Sequence, residues 1–131
     1  MDVGVAGVSD GASPADLVID GLVGYSLRGT PRGAVADLIR MANAQVSPVL
    51  SLDVPSGLDA TSGDVLDPAV RATATLTLAL PKVGLRAPGA QDHVGELYLG
   101  DIGVPPSLYA GPSLGLTVGA IFAAGDIVRL R

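Results

Sequence analysis

An α/β fold built on a mainly parallel sheet is what these 131 residues predict. Three observations carry it. Short apolar runs at residues 16–20 and 48–53 each end in an acid, Asp20 and Asp53, and each is followed at once by a Gly- or Pro-bearing loop. Between them Val35, Leu38, Ile39 and Ala42 fall at i, i+3, i+4 and i+7, one apolar stripe of a helix. A strand, a helix and a second strand joined by short links call for a right-handed parallel crossover.

In chain order, residues 3–8 (VGVAGV) read as a short strand and residues 10–14 as a turn. Residues 16–20 (DLVID) form a buried strand bounded by acids. Residues 21–30 are a loop in which Gly24 and Gly29 permit close backbone approach to a ligand. Residues 31–33 lead into the helix, and residues 43–47 end it before Pro48 opens the next strand. The Pro55-Ser56-Gly57 turn predicts a sharp bend with Ser56 exposed at its apex. Residues 72–80 (ATATLTLAL) alternate threonines with Ala and Leu, the pattern of a strand with two unlike faces. Residues 96–102 form a further strand, and the tail from 104 to 131 packs against the sheet's edge. Only one helix is clear, yet a parallel sheet needs both faces covered, so the chain reads as an incomplete domain or one obliged to pair.

Composition narrows the function. Charged residues make up 16% and apolar ones 48%, which excludes a disordered chain. A net charge of −5, with seven arginines and the single Lys82 dispersed, argues against nucleic acid. No cysteine is present, so disulfides, thiolate metal sites and cysteine nucleophiles are excluded. The first residues lack the basic and apolar regions of a signal peptide, and no apolar run reaches membrane-spanning length, so a soluble cytoplasmic protein is expected.

The site expected from these residues lies at the C-terminal edge of the sheet, where parallel strands hold ligands. Asp20 and Asp53 end adjacent strands there, with Ser56, Asp59, Thr61 and Asp64 close by in sequence. Oxygen donors alone suit a hard cation such as K⁺, Mg²⁺ or Ca²⁺. Ser56 has no histidine near it in sequence, which argues against a hydrolase triad, and His93 reads as a solvated loop residue. Lys82, just past a strand end, is within reach of an anionic substrate, although a lone lysine is commonly only solvated. The loop Gly24, Tyr25, Ser26, Leu27, Arg28, Gly29, Thr30 offers backbone amides and a guanidinium to a phosphate, but carries neither dinucleotide fingerprint nor Walker pattern.

VIDGLVGYSLRG, LDVPSGLDATSGDV, TLTLALPKVGL, GELYLGDIGVP and FAAGDIVRL, taken together from residue 16 to the C-terminus, resemble the YjeF N-terminal domain family of NAD(P)H-hydrate epimerases. The most specific piece is residues 53–59 with its spacing back to Asp20. The resemblance implies a Rossmann-like three-layer α/β/α domain, commonly dimeric, that interconverts the R and S forms of hydrated NADH and NADPH for a stereospecific dehydratase. It implies Asp20 and Ser56 as K⁺ ligands, residues Gly24 to Thr30 as the hydrated-nucleotide loop and Asp53 as a further substrate contact. The reaction removes and restores a hydroxyl on a carbon bonded to the ring nitrogen, so it needs a proton donor and acceptor; Asp20 and Asp53 are the candidates. No Asn-Asn-Gly-Gly-Asp phosphate loop precedes residue 16, so residues 1–131 are expected to be the C-terminal part of such a domain, completed by an N-terminal half or a second copy. The alternative is a non-catalytic nucleotide- or RNA-binding or dimerisation module on the same fold.

Overall fold

The computed structural model describes residues 15–24 and 29–131. The expected strand at 3–8 and the loop residues Tyr25, Ser26, Leu27 and Arg28 lie outside the described residues.

The elements run β1 (Val18–Asp20), α1 (Gly33–Asn43), β2 (Val49–Leu52), β3 (Ala74–Leu78), α2 (Gln91–Val94), β4 (Glu96–Gly100), α3 (Pro106–Ala110) and β5 (Ile127–Arg129), with 3₁₀ turns at Val83–Arg86 and Pro88–Ala90. They build one five-stranded sheet in the order β1-β2-β3-β4-β5. The first four strands are parallel, and β5 returns antiparallel along β4, which is how the tail meets the sheet's edge.

Strand alternation decides which residues face the core. The register aligns Asp20 with Ser51, Ser51 with Thr75, and Thr75 with Leu97, one row across a single face. That face is the covered one. Ile39 of α1 packs with Val49, Val70 and Ala72, while Val54, Leu58 and Leu85 pack with Val94 and Leu97. The threonine side of β3 is therefore the buried side: Thr75 and Thr77 are fully enclosed, and the Thr75 hydroxyl donates to the Val94 carbonyl at 2.7 Å. A buried hydroxyl is tolerated when it is bonded in this way.

Leu17, Ile19, Leu50, Leu52, Leu76 and Leu78 point to the other face, and Ile19 and Leu52 stay exposed there. Topology accounts for the asymmetry. Strands added one after another in a single direction by right-handed crossovers put every connection on the same side of the sheet. The α/β class with a mainly parallel sheet holds, and the helices packed in the two core clusters account for one covering layer of the three-layer arrangement.

At the C-terminal end of α1, Asn43 replaces a conventional cap. Its amide donates to the Ala69 carbonyl at 2.8 Å and its oxygen accepts the Arg71 amide at 2.8 Å, tying the helix end to the segment that enters β3. The chain also turns at a cis Asp67–Pro68 peptide.

Candidate functional site

Asp20 closes β1 and, because it shares the covered face with Ser51, its carboxylate turns inward; it is 3% exposed. Four donors meet it. Ser51 Oγ donates to Oδ2 at 2.8 Å, Ser56 N to Oδ2 at 2.9 Å, Ser56 Oγ to Oδ1 at 2.6 Å and Leu22 N to Oδ1 at 3.3 Å. A buried carboxylate without such partners would carry a desolvation cost of several kcal/mol.

Ser56 is thus not the exposed apex that its turn predicts. It is 1% exposed, because the Pro-Ser-Gly bend folds back under the β1 loop instead of out to solvent. Its hydroxyl also accepts the Val23 amide at 2.9 Å and lies 3.3 Å from the Val23 carbonyl. Gly57 makes the bend possible. Its φ is +97°, and a Cβ there would stand 2.5 Å from the Pro68 carbonyl oxygen and 2.6 Å from the Ala69 Cα. Oxygens of Asp20, Ser56 and Val23 consequently converge beneath residues 21–24, a donor set of the hard-cation kind.

Asp53 ends β2 in a different environment. Its φ is +68°, and the Val54 amide donates back to the Leu52 carbonyl at 2.9 Å, so the chain makes a γ-turn centred on Asp53. Ala79 repeats this at the end of β3, with φ +63° and a Leu80 amide to Leu78 carbonyl bond of 2.7 Å. Left-handed backbone at non-glycine residues costs on the order of 1 kcal/mol each and gathers at functional sites. The second turn delivers Lys82 to Asp53. Lys82 Nζ pairs with Asp53 Oδ1 and donates to the Leu78 carbonyl at 2.8 Å, and the Leu78 amide reaches the same Oδ1 at 3.2 Å. Lys82 is therefore half-buried and paired, not merely solvated.

Gly24 links the two carboxylates in space: a Cβ built on it would lie 4.0 Å from Asp53 Oδ2. Asp20 and Asp53 thus belong to one edge of the sheet and to the same loop, Asp20 turned beneath it and Asp53 beside it. Gly29 and Thr30 are exposed at the far end of that loop.

The remaining oxygen-bearing residues close on themselves. Asp59 Oδ1 accepts the Thr61 and Ser62 amides, both at 2.8 Å, which holds its carboxyl below the ordinary range, and the Asp64 amide donates to the Ser62 hydroxyl at 3.1 Å. His93 is not a solvated loop residue: it lies half-buried on α2 with Nδ1 2.9 Å from the Val70 carbonyl. No cluster of three or more His, Cys, Asp or Glu occurs among the described residues. Ser51 and Lys82 are the site residues that sequence reasoning missed or undervalued. The signal for Ser51 was a lone hydroxyl in an apolar strand, and for Lys82 its place just past the end of β3.

The model for the YjeF-related protein N-terminus matches residues 4–84, and the chain belongs to this family. An NAD(P)H-hydrate epimerase of Dehalogenimonas lykanthroporepellens is 49% identical over 123 residues, which cover 94% of this chain and 48% of that one. An NAD(P)H-hydrate epimerase of Truepera radiovictrix is 48% identical over 91 residues, covering 70% of this chain and 40% of its own. A bifunctional NAD(P)H-hydrate repair enzyme of Pyrobaculum aerophilum is 45% identical over 100 residues, covering 75% of this chain and 20% of its own. The chain spans about half the length, or less, of these relatives. The crystal structure of yeast ynu0 superposes with a TM-score of 0.66 at 19% identity, over 88% of this chain and 46% of that one, and shares the fold.

Proposed function

We propose that this chain carries half of the site of an NAD(P)H-hydrate epimerase. The observation that carries the reading is the division of labour between its two strand-end carboxylates, in a chain 49% identical to a protein of that name. Asp20 accepts four protein donors and is buried, so its part is to hold Ser56 and the residue 21–24 loop, and with Ser56 and the Val23 carbonyl to hold K⁺. K⁺, when bound, supplies positive charge that orients oxygens and offsets a phosphate. Asp53 is the acid–base candidate, with Lys82 as its proton partner. Of its two oxygens, Oδ1 takes the Lys82 and Leu78 donors, while Oδ2 looks toward Gly24.

On this reading the Lys82–Asp53 pair gives a proton to the departing hydroxyl, the carbon–oxygen bond breaks and water forms as the ring nitrogen's electron pair moves toward carbon. Water then adds to the opposite face and returns its proton to the pair, so the two epimers interconvert without net consumption of anything. Residues Gly24 to Thr30 bind the hydrated nucleotide, and the compartment is the cytoplasm. No helix among the described residues is long and apolar enough to cross a membrane.

The test is the rate of exchange between the R and S forms of hydrated NADH and NADPH, followed chromatographically. The chain is assayed alone and with the part of the Dehalogenimonas relative that it does not span. Acceleration that disappears in Asp53→Asn supports the proposal; no acceleration in either arrangement overturns it.

A further inference from the structure

The donors on Asp20 fall into two pairs of different kinds. Oδ2 is met by the Ser51 hydroxyl at 2.8 Å and the Ser56 amide at 2.9 Å. Oδ1 is met by the Ser56 hydroxyl at 2.6 Å and, at the long distance of 3.3 Å, by the Leu22 amide. The first pair is fixed: one donor is main chain, and the other is a fully enclosed side chain whose hydroxyl has Asp20 as its one acceptor among the described residues. The second pair can let go. The Ser56 hydroxyl has another oxygen 3.3 Å away, the Val23 carbonyl, and Leu22 is an exposed loop residue.

We infer that Ser51 is a positioning residue for the cation site: by engaging Oδ2 from inside the sheet, it leaves Oδ1 as the cation-facing oxygen beside Ser56 Oγ and the Val23 carbonyl, and so sets the K⁺ affinity of this edge. It rests on the K⁺ part of the epimerase reading. The last torsion of an aspartate is broad and roughly two-fold, so a carboxylate held by one donor on each side swings easily. With the Ser51 hydroxyl and the Ser56 amide both on Oδ2, the plane of the group is set when the chain folds. A cation then meets an oxygen already in place, and the ordering cost is not charged against its binding.

The strand did not require a hydroxyl at this position. Ser51 faces the covered side of β2, where buried positions are mostly apolar, and a hydroxyl there is tolerated only when bonded. Thr75, its neighbour in the same row, is the contrast. It is equally enclosed, but its hydroxyl goes to the Val94 carbonyl and not to Asp20.

The experiment follows the thermal midpoint through a KCl titration, with N-methylglucamine chloride holding the ionic strength constant. The full chain is used alone and with the part of the Dehalogenimonas relative that it does not span. A ligand of the folded state raises the midpoint in proportion to its occupancy, so the titration reads K⁺ affinity without an activity assay. Ser51→Ala is expected to need about tenfold more K⁺, or more, for the same rise, the worth of one hydrogen bond to a charged acceptor. Thr75→Val is expected to lower the midpoint equally at every K⁺ concentration. Should Ser51→Ala not fold, Ser51→Cys fills the same space with a weaker donor and carries the same comparison.

Three results overturn the inference: no response to K⁺ in either arrangement, a loss in Ser51→Ala that is the same at every K⁺ concentration, or an equal change of K⁺ dependence in Thr75→Val. A K⁺ response that depends on Ser51 without epimer exchange upholds the inference and removes the catalytic proposal alone. Epimer exchange that needs Asp53 but shows no K⁺ response removes the inference and leaves Asp53 in its role.

Discussion

Asp20 receives both the amide and the hydroxyl of Ser56, at 2.9 and 2.6 Å, although 36 residues separate them. That pair of bonds joins the end of β1 to the turn after β2. Removing either partner has unequal consequences. Asp20→Ala leaves three buried donors on Ser51 and Ser56 without their acceptor, and unmet buried donors cost about 1–3 kcal/mol each, not fully additively. The expected loss is on the order of 3 kcal/mol for Asp20→Ala and about 1 kcal/mol for Ser56→Ala, read from urea denaturation midpoints.

Asp53 is expected to behave in the opposite way. It is partly solvated, and Asp53→Asn keeps its shape and its acceptor for the Leu78 amide. In the completed enzyme, epimer exchange should fall by about 10²- to 10⁴-fold, the usual worth of a general acid–base group, with the urea midpoint nearly unchanged. Full activity in Asp53→Asn, with loss in Asp20→Asn at equal stability, would reverse the assignment.

Relief of backbone strain offers a separate check on the twin turns. Ala79 holds a φ of +63° at the end of β3, a region that glycine enters freely. Ala79→Gly is expected to stabilise the chain by roughly 0.5–1 kcal/mol, net of the glycine's added unfolded-state entropy, in thermal or urea unfolding.

Gly57→Ala should do the reverse. A Cβ would press on the Pro68 carbonyl and on Ala69 while φ stays at +97°, so two penalties combine. A loss of about 3 kcal/mol or more is expected, read as a lowered midpoint in a circular-dichroism melt.

The Asp59 carboxyl predicts an acid limb of stability. Its affinity for protons is lowered in the folded chain by the Ser62 and Thr61 amides. Its stabilisation is therefore fully present above the ordinary value of 3.8 and is lost as pH falls through the lower folded value. Wild type minus Asp59→Ala, measured as the denaturation midpoint against pH, should be flat above about pH 5 and shrink below pH 3.8.

Much of this architecture was legible in the residues because strand and helix periods are local. The stripe of Val35, Leu38, Ile39 and Ala42 marked α1, and acids followed by glycine- or proline-bearing turns marked the ends of β1 and β2. Burial of the threonine face of β3 was not legible, because alternation reveals two faces without saying which one a helix will cover. Lys82 was undervalued for a related reason: its partner lies 29 residues earlier and meets it only when β2 and β3 pair in register.

The sequence by itself determined the α/β class, the order of the strands along the chain and the placing of Asp20 and Asp53 at strand ends, since each follows from short-range pattern. The tertiary structure decided that Asp20 and Ser56 turn inward, that Asp53 is held by Lys82, and that Ile19 and Leu52 face away from the side on which α1 packs. Those outcomes depend on register and on the direction of winding. Both are properties of how strands meet across the sheet, and no window along the chain contains them.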